Sequence, residues 1–497
     1  MSKKCVIIGS GLGGLSCGSI LSRNGYDVTI LEQGTQIGGC LQCFSRKGVR
    51  FETGMHFIGS AAPGQTLNKL MNYLNLQSVG LSQLDPYAYD IVSLQGEHFR
   101  FANGREPFIE QMASYFPAEK DNIVAYYDVI EKIAQASSLH SLRHAENDMA
   151  VNTYYQTVSI NEVLDDLFKD ELLKNVLVGN LPLYAAEKDK TPFSQHAFIM
   201  DFYNQSAFRI VGGSDAIARA IADDVKSRGG EIKTSSKVTK ILCDETHAIG
   251  VEVNSSEFIP ADIVIAAIHP TRVMEMLDTK LIRPAFRNRI SSLKNTTAGF
   301  SVYLKFKEGK VPYLNSNFYS FNSKTPWGCE NYTESNWPMG YLYMHFCNGE
   351  NPKDAASGVI LSYMNMEDVA PWIGTSIGRR GTSYEEFKRA KAEKLLAQVE
   401  KDFPGLRDSV DSYFTATPLT YLDYTGTQDG SMYGVAKDIT LGAACRVPHK
   451  TKVPNLLLSG QNINSHGMLG VLVGSIVTCS ELLTAETIYH QMIRANQ

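Results

Sequence analysis

The segment that most constrains the fold is Gly9-Ser10-Gly11-Leu12-Gly13-Gly14. Residues 5–9 before it form an apolar run that reads as a short buried strand, and Gly14 to Arg23 after it read as a helix of small and apolar residues. A second strand, Tyr26 to Leu31, ends in Glu32, so about 30 residues spell a βαβ unit. In such a unit Gly9 permits the tight turn, Gly11 lets a pyrophosphate approach the backbone, and Gly14 lets the helix lie close to the strand. The helix start offers N–H donors and a partial positive charge to phosphates. Glu32, 18 residues beyond Gly14, is placed to accept hydrogen bonds from an adenosine ribose, and its charge would repel the 2′-phosphate of NADP. These features together predict a bound dinucleotide.

Composition narrows the class. A chain of 497 residues suggests about three units of roughly 150 residues, although cofactor enzymes often interleave two. Its formal net charge of -5, without a Lys/Arg-rich block, argues against a nucleic-acid partner. No run of 18 or more apolar residues predicts a spanning helix. The start, Met1 to Ile8, mimics a secretory signal but breaks at once into glycines, which suits a strand and turn better. Nine cysteines, an odd number spread from Cys5 to Cys479, form no disulfide framework in so long a chain. A reducing, cytoplasmic setting is expected, either free or peripheral to the inner face of the membrane.

Further along, the βαβ pattern stops and resumes. Leu67, Leu70, Met71 and Leu74 have helical spacing. Residues 87–104 alternate like a hairpin with Asn103-Gly104 as a turn signal, and 108–206 look mainly helical. Gly212-Gly213 then precedes an amphipathic helix (Ile217, Ile221, Val225) that stops at Gly229-Gly230. Strands follow at 231–243, 247–253 and 261–267. Within 296–435 strands are expected near 298–306, 341–346 and 358–365, with a charged helix at 384–402. Asn455 to Gly460 reads as a buried strand and Gly467 to Leu483 as a helix. The predicted architecture is α/β. A discontinuous Rossmann-like cofactor domain (1–85, 207–292, 437–497) is interleaved with an α+β substrate domain (86–206, 293–436).

Gly38-Gly39 offers a second close approach of backbone to ligand, which suits an extended FAD better than a single-Rossmann NAD enzyme. The motif at Gly9–Gly14, Glu32 and Gly38-Gly39-Cys40 resembles the N-terminal signature of the FAD-dependent phytoene desaturase, carotenoid isomerase and retinol saturase superfamily. Phe51-Glu52-Thr53-Gly54-Met55-His56-Phe57-Ile58-Gly59 is similar to the segment that follows in the saturase and isomerase branch. Thr417 to Thr420, Asp423 to Thr427 and Asp429 to Gly434 resemble that branch's late motif. Leu458 to Asn462 and His466 to Ser475 resemble its closing flavin segment.

The resemblance implies an amine-oxidase-like flavoprotein that holds FAD through Gly9, Gly11, Gly13, Gly14, Glu32, Gly38, Gly39 and Cys40 near the N-terminus. Later contacts would come from the backbone of Val238, from Gly460 and Gln461, and from Gly467, Met468 and Leu469. Independently of family, a Gly-rich helix starting near Gly467 would aim its N–H groups at the pyrimidine end of the flavin. Many relatives carry an acid where Gln461 or Asn462 falls; an amide can still donate and accept there.

His56, Tyr433 and His466 are the candidate catalytic residues; each has an alternative role as a hydrogen-bonded residue under a turn. Asp423 either joins them or organises a turn. The Cys40-x-x-Cys43 pair lacks a second pair at zinc spacing, so no metal is expected, and packing cysteines are favoured over a redox dithiol. Aromatic residues from Tyr313 to Phe346 could line a slot for an apolar chain or fill the core of a β-sheet. Helical faces such as Tyr126, Tyr127 and Ile130 could dip into a membrane surface.

The expected function is oxidation, reduction or isomerisation of an apolar polyene or isoprenoid small molecule, by hydride transfer at flavin N5. No second clear nucleotide motif is present, so an external electron donor or acceptor, or a shared site, is expected. A flavin amine oxidase acting on a polar substrate, or a non-catalytic flavin- or lipid-binding protein, is the alternative.

Overall fold

Five short strands form a wholly parallel sheet: β1 (Lys4–Ile8), β2 (Asp27–Leu31), β3 (Glu231–Lys233), β4 (Ile263–Ala266) and β5 (Leu456–Leu458). Residues 2–137, 149–347 and 353–497 are described by the computed structural model. The strand order is β3-β2-β1-β4-β5. β1 to β2 runs one way across the sheet and β4 the other, so the direction of winding reverses at β1. In such sheets the ligand crevice opens beyond the carboxyl ends of the strands at this reversal. β4 reads Ile-Val-Ile-Ala with every residue buried, as a parallel strand covered on both faces must be.

Three helices pack together beside the sheet: α1 (Leu12–Arg23), α2 (Asp215–Ser227) and α3 (Gly467–Ser480). α1 lies against both others. Its buried Leu15, Cys17, Ile20 and Leu21 belong to the main core, each large apolar side chain contributing about 1.5–3 kcal/mol. Ser475 Oγ donates to the carbonyl of Gly13 at 3.3 Å, and Cys17 Sγ donates to Ser459 Oγ at 3.3 Å. Residues far apart in the chain are thereby joined around the first glycine turn.

The second sheet has seven strands, in the order Val410–Ala416, Gly299–Phe306, Ser357–Tyr363, Gly340–Phe346, Asn317–Phe321, Asp90–Leu94 and Glu97–Phe101. All neighbours are antiparallel except Asn317–Phe321 with Asp90–Leu94. The expected hairpin at 87–104 is present, but its turn is Gln95-Gly96, both at positive φ. Asn103-Gly104 instead ends the hairpin and leads into the helix Arg105–Tyr115. The run 231–243 divides into Glu231–Lys233 and Val238–Cys243, which belong to different sheets, with Ser235 at φ +53° between them.

One sequence expectation needs correction, and one open alternative is decided. Tyr126, Tyr127 and Ile130 are buried in the main core, so this helical face packs inside the protein and is not presented to a membrane. Other parts of the expected helical stretch, 138–148, lie outside the described residues. Among the described residues no helix is long and apolar enough to cross a membrane. The aromatic stretch fills the core of the seven-stranded sheet: Phe318, Trp337, Tyr341 and Tyr343 are buried with Phe300, Leu395 and Val399.

The helical layer contains a buried histidine. His196 accepts or donates at both ring nitrogens, 2.7 Å from the hydroxyls of Tyr126 and of Tyr184. Burial pushes its pKa down to about 3. Between about 3 and the ordinary histidine value of 6.5 the unfolded chain therefore binds a proton that the folded chain refuses. The stability associated with neutral His196 is complete above that window and is lost as pH falls through it, at about 1.4 kcal/mol per pH unit. His196→Gln is expected to reduce the slope of unfolding free energy against pH by that amount between pH 5 and 6, measured by urea denaturation. An unchanged slope would show that this histidine titrates normally.

Candidate active site

The carboxyl ends of the parallel strands open into one cavity of about 710 Å³. Its wall includes Ile8-Gly9 after β1, Leu31-Glu32 after β2, Ala267 after β4 and Ser459-Gly460 after β5. Gly11, Gly13, Gly38, Gly39, Cys40, Val238, Gln461, Gly467 and Met468 line the same cavity. Residues expected from four separate stretches thus meet in one place.

The first turn has the shape of a phosphate cradle. Gly9 has φ +94°, a conformation that side-chain-bearing residues rarely adopt. A Cβ on Gly14 would stand 2.0 Å from the Gly9 carbonyl oxygen, and one on Gly13 would stand 2.8 Å from the Gly460 Cα. Those glycines serve close packing. Gly11 differs: a Cβ there would meet no atom within 4 Å and would occupy open space at the helix start. No side chain caps α1 or α3, which leaves the N–H groups at both starts for a ligand. Gly38 donates its N–H to the Ser10 carbonyl at 3.0 Å, and a Cβ on Gly39 would stand 3.1 Å from the Gly11 Cα, so the second glycine pair packs on the first turn.

Glu32 is buried at the end of β2, and three donors already hold its carboxylate. Ser10 N–H and Oγ–H donate to Oε2 at 3.0 and 2.6 Å, and Gly34 N–H donates to Oε1 at 2.8 Å. A carboxylate has about four lone-pair positions, so one remains for a ribose hydroxyl. Gly14 and Leu469 do not face the cavity: Gly14 packs on the turn, and Leu469 packs against the main core.

The three candidate catalytic residues separate. His56 lines the cavity, and its Nδ1 lies 3.5 Å from Glu52 Oε2. Tyr433 also lines it, but its hydroxyl donates to the Pro182 carbonyl at 3.0 Å, and burial holds its pKa above the usual phenol range. The His466 ring lies 4.7 Å from that of Tyr433, away from the cavity wall, and its Nε2 is 2.8 Å from Gln195 Nε2. Burial, reinforced by the nearby Lys437 cation, pushes the His466 pKa down to about 3. His466 is a neutral ring under Tyr433.

Asp423 faces the cavity, paired with Arg380, and belongs to the helix Pro418–Thr425. Asn462 ties down the late motif, its Oδ1 accepting from Val435 N–H at 2.9 Å. Cys40 lines the cavity, while the Cys43 thiol lies 3.6 Å from Ser214 Oγ. All described cysteines are unbridged, and burial raises the pKa of both thiols, so the pair is held as thiols.

None of the aromatic residues from Tyr313 to Phe346 lines the cavity. Its apolar wall comes from Phe57, Leu183, Tyr203, Leu342, Leu361 and Met432. Leu342 and Leu361 are register partners on one face of the seven-stranded sheet. Sequence reasoning missed them because only cross-strand register brings them together. Lys237 and Arg272, cations in the same wall, were also missed, because nothing in their local sequence marks them as ligand-facing.

The family described as flavin containing amine oxidoreductase matches residues 12–474, which includes most of these wall segments. The chain belongs to that family. A flavin family built on a dinucleotide-binding sheet takes FAD, and the uncapped helix starts and the open space at Gly11 fit its pyrophosphate. The chain is an FAD-dependent oxidoreductase. It is 27% identical to all-trans-retinol 13,14-reductase of Rattus norvegicus over 98% of this chain and 86% of the relative. It is 23% identical to prolycopene isomerase 1, chloroplastic, of an Oncidium hybrid cultivar over 97% of this chain and 84% of the relative. Its fold is similar to that of an oxidoreductase from Methanosarcina mazei, with TM-score 0.66, 16% identity and coverage of 96% and 100% of the two chains.

Proposed function

We propose that this flavoprotein adds hydrogen to, removes hydrogen from, or isomerises a C=C bond of an apolar polyene or isoprenoid lipid. The observation that carries this reading is the apolar part of the cavity wall, built from Phe57, Leu183, Leu342, Leu361 and Met432. Relatives named for a retinol reduction and a prolycopene isomerisation support a polyene as the substrate.

Gly9 to Gly14 and the start of α1 would hold the pyrophosphate of FAD, Glu32 the ribose, and the Val238 backbone the adenine. Gly38-Gly39-Cys40 and Gly460-Gln461 would follow the ribityl chain, and the α3 start from Gly467 would face the pyrimidine ring. Bound FAD supplies hydride chemistry at N5. The apolar wall holds a substrate carbon in place and excludes water. Tyr433 forms part of the wall with the His466 ring behind it, and His56 is a polar side chain in that wall. Electrons come from, or go to, a separate partner. We place lipid entry beside Tyr424, 56% exposed at the cavity, where Ile373 and Ile377 are exposed on the loop that Arg380 ties to Asp423. Contact with a membrane surface would be made there.

An amine substrate is disfavoured by charge. Three carboxylates line the cavity, and each is engaged: Glu32 by Ser10 and Gly34, Glu275 by Arg272, and Asp423 by Arg380. These existing partners weaken the pull of each carboxylate on a substrate ammonium ion.

The test begins with FAD-loaded protein reduced by dithionite under argon and mixed with all-trans-retinol or prolycopene. Loss or shift of the polyene absorbance, with a product identified by mass spectrometry, is the expected result. Peroxide release from primary amines and oxygen, with both polyenes untouched, would overturn the reading.

A further inference from the structure

We propose that His56, in the cavity wall, and Glu52, buried behind it, form a proton-sharing pair, and that His56 delivers its proton to the substrate carbon that does not receive the hydride. This rests on the proposed polyene reaction. Glu52 ends the strand Val49–Glu52, and His56 follows after the turn through Gly54. The Glu52 residue is 5% exposed and the His56 side chain 11%. Glu52 Oε2 and His56 Nδ1 are both buried, 3.5 Å apart, and neither atom has a hydrogen-bond partner. Two orphaned polar atoms facing each other at a ligand cavity indicate a contact that tightens when the site fills.

The surroundings hold the pair in place. Arg209 Nη1 donates to the His56 carbonyl at 3.2 Å, and Arg209 Nη2 donates to Asn317 Oδ1 at 3.0 Å. Asn317 Nδ2 donates to the buried Asp90 carboxyl at 2.8 Å. This chain of contacts pins the backbone of His56 from the seven-stranded sheet, and the Phe346 ring lies 5.9 Å from the imidazole.

A buried carboxylate costs several kcal/mol unless it is paired, and the facing imidazole nitrogen is positioned to share a proton with Glu52. Burial raises the Glu52 pKa, and His56 and then Arg209 oppose the rise. Cys43, a thiol held neutral by burial, and Asp215, engaged by Arg50 and Arg219, are the other titratable groups on this side. With Nδ1 facing Glu52, His56 Nε2 is the nitrogen left for the cavity.

For saturation the balance is complete. Bound FAD, reduced by an added two-electron donor, would supply the hydride and its two electrons to one alkene carbon. The Nε2–H bond breaks as a C–H bond forms at the other carbon, leaving neutral imidazole beside the Glu52 carboxylate. One proton from water restores the pair. Desaturation runs these steps in reverse, with His56 as the base.

Isotope-edited infrared titration of the FAD-loaded protein, taken as a difference against Glu52→Gln, reads the Glu52 carboxyl directly. The expected band of the protonated carboxyl persists above the ordinary carboxylate range. His56→Gln should move its loss to still higher pH, because the opposing influence of the imidazole is gone. A band that ionises in the ordinary range, or that His56→Gln leaves in place, overturns the pair. In single turnover with dithionite and all-trans-retinol, His56→Gln at full flavin content should be slower by about 100-fold, the usual contribution of a general acid. Glu52→Gln should change the pH profile of the remaining step. Wild-type rates in His56→Gln overturn the delivery step. If wild type fails to turn over while the infrared coupling is present, the pair stands and the polyene reading falls.

Discussion

Gly11→Val is expected to leave the chain folded but unable to hold FAD. Gly11 sits at φ -64° and ψ 175°, a conformation open to any L residue. A Cβ there meets nothing within 4 Å, so the substitution costs the apoprotein little. The added isopropyl group instead projects into the space at the start of α1 where a pyrophosphate would approach the N–H groups. Loss of affinity on the order of 100-fold or more is expected from blocking that approach. Flavin absorbance after dialysis should vanish while the apoprotein melts as wild-type apoprotein does. Full flavin content in the variant would remove the cradle from this turn. Gly14→Ala supplies the contrast, because its Cβ would collide with the Gly9 carbonyl at 2.0 Å and damage the turn itself.

Trp337→Ala is expected to cost about 3–5 kcal/mol of stability, the usual range for emptying a large aromatic site in a core. Trp337 is 1% exposed, and its indole N–H donates to the Tyr363 carbonyl at 2.7 Å. Its ring meets Phe300 edge-on at 5.8 Å, and the Lys391 ammonium lies 4.7 Å from the ring centroid. Truncation leaves a cavity among close-packed rings and a carbonyl without its donor. Chemical denaturation should show the full loss, with FAD affinity unaltered because Trp337 does not line the cofactor cavity. A variant as stable as wild type, with weakened binding of a polyene, would return this stretch to the role of a substrate slot.

The two substitutions also mark where reading the chain succeeds and where it stops. The glycine turn, the acid ending β2, the Gly38-Gly39 pair and the glycine-rich start of α3 were legible because each is a local device. A positive φ, an uncapped helix start or a change of hydrophobic period is set by residues a few positions apart. The cavity that these devices share was also legible, since β1, β4 and β5 carry the recognisable apolar runs of buried parallel strands.

Other features were settled by partners distant in the chain. Whether the rings from Tyr313 to Phe346 face a ligand or one another depends on which side of the seven-stranded sheet they occupy, and alternation alone does not say which side is covered. The hairpin turned at Gln95-Gly96 because the pairing of Asp90 with Phe101 set its register, while Asn103-Gly104, an equally good local turn, began a helix. Glu52 and His56 are close in sequence, yet their chemistry comes from Arg209 and Phe346, which lie about 150 and 290 residues further on. Dihedral preference and periodicity are carried by neighbouring residues and survive in a string of letters. Burial, register and electrostatic environment arise only when separate segments exclude water from one another, and no short stretch of chain records them.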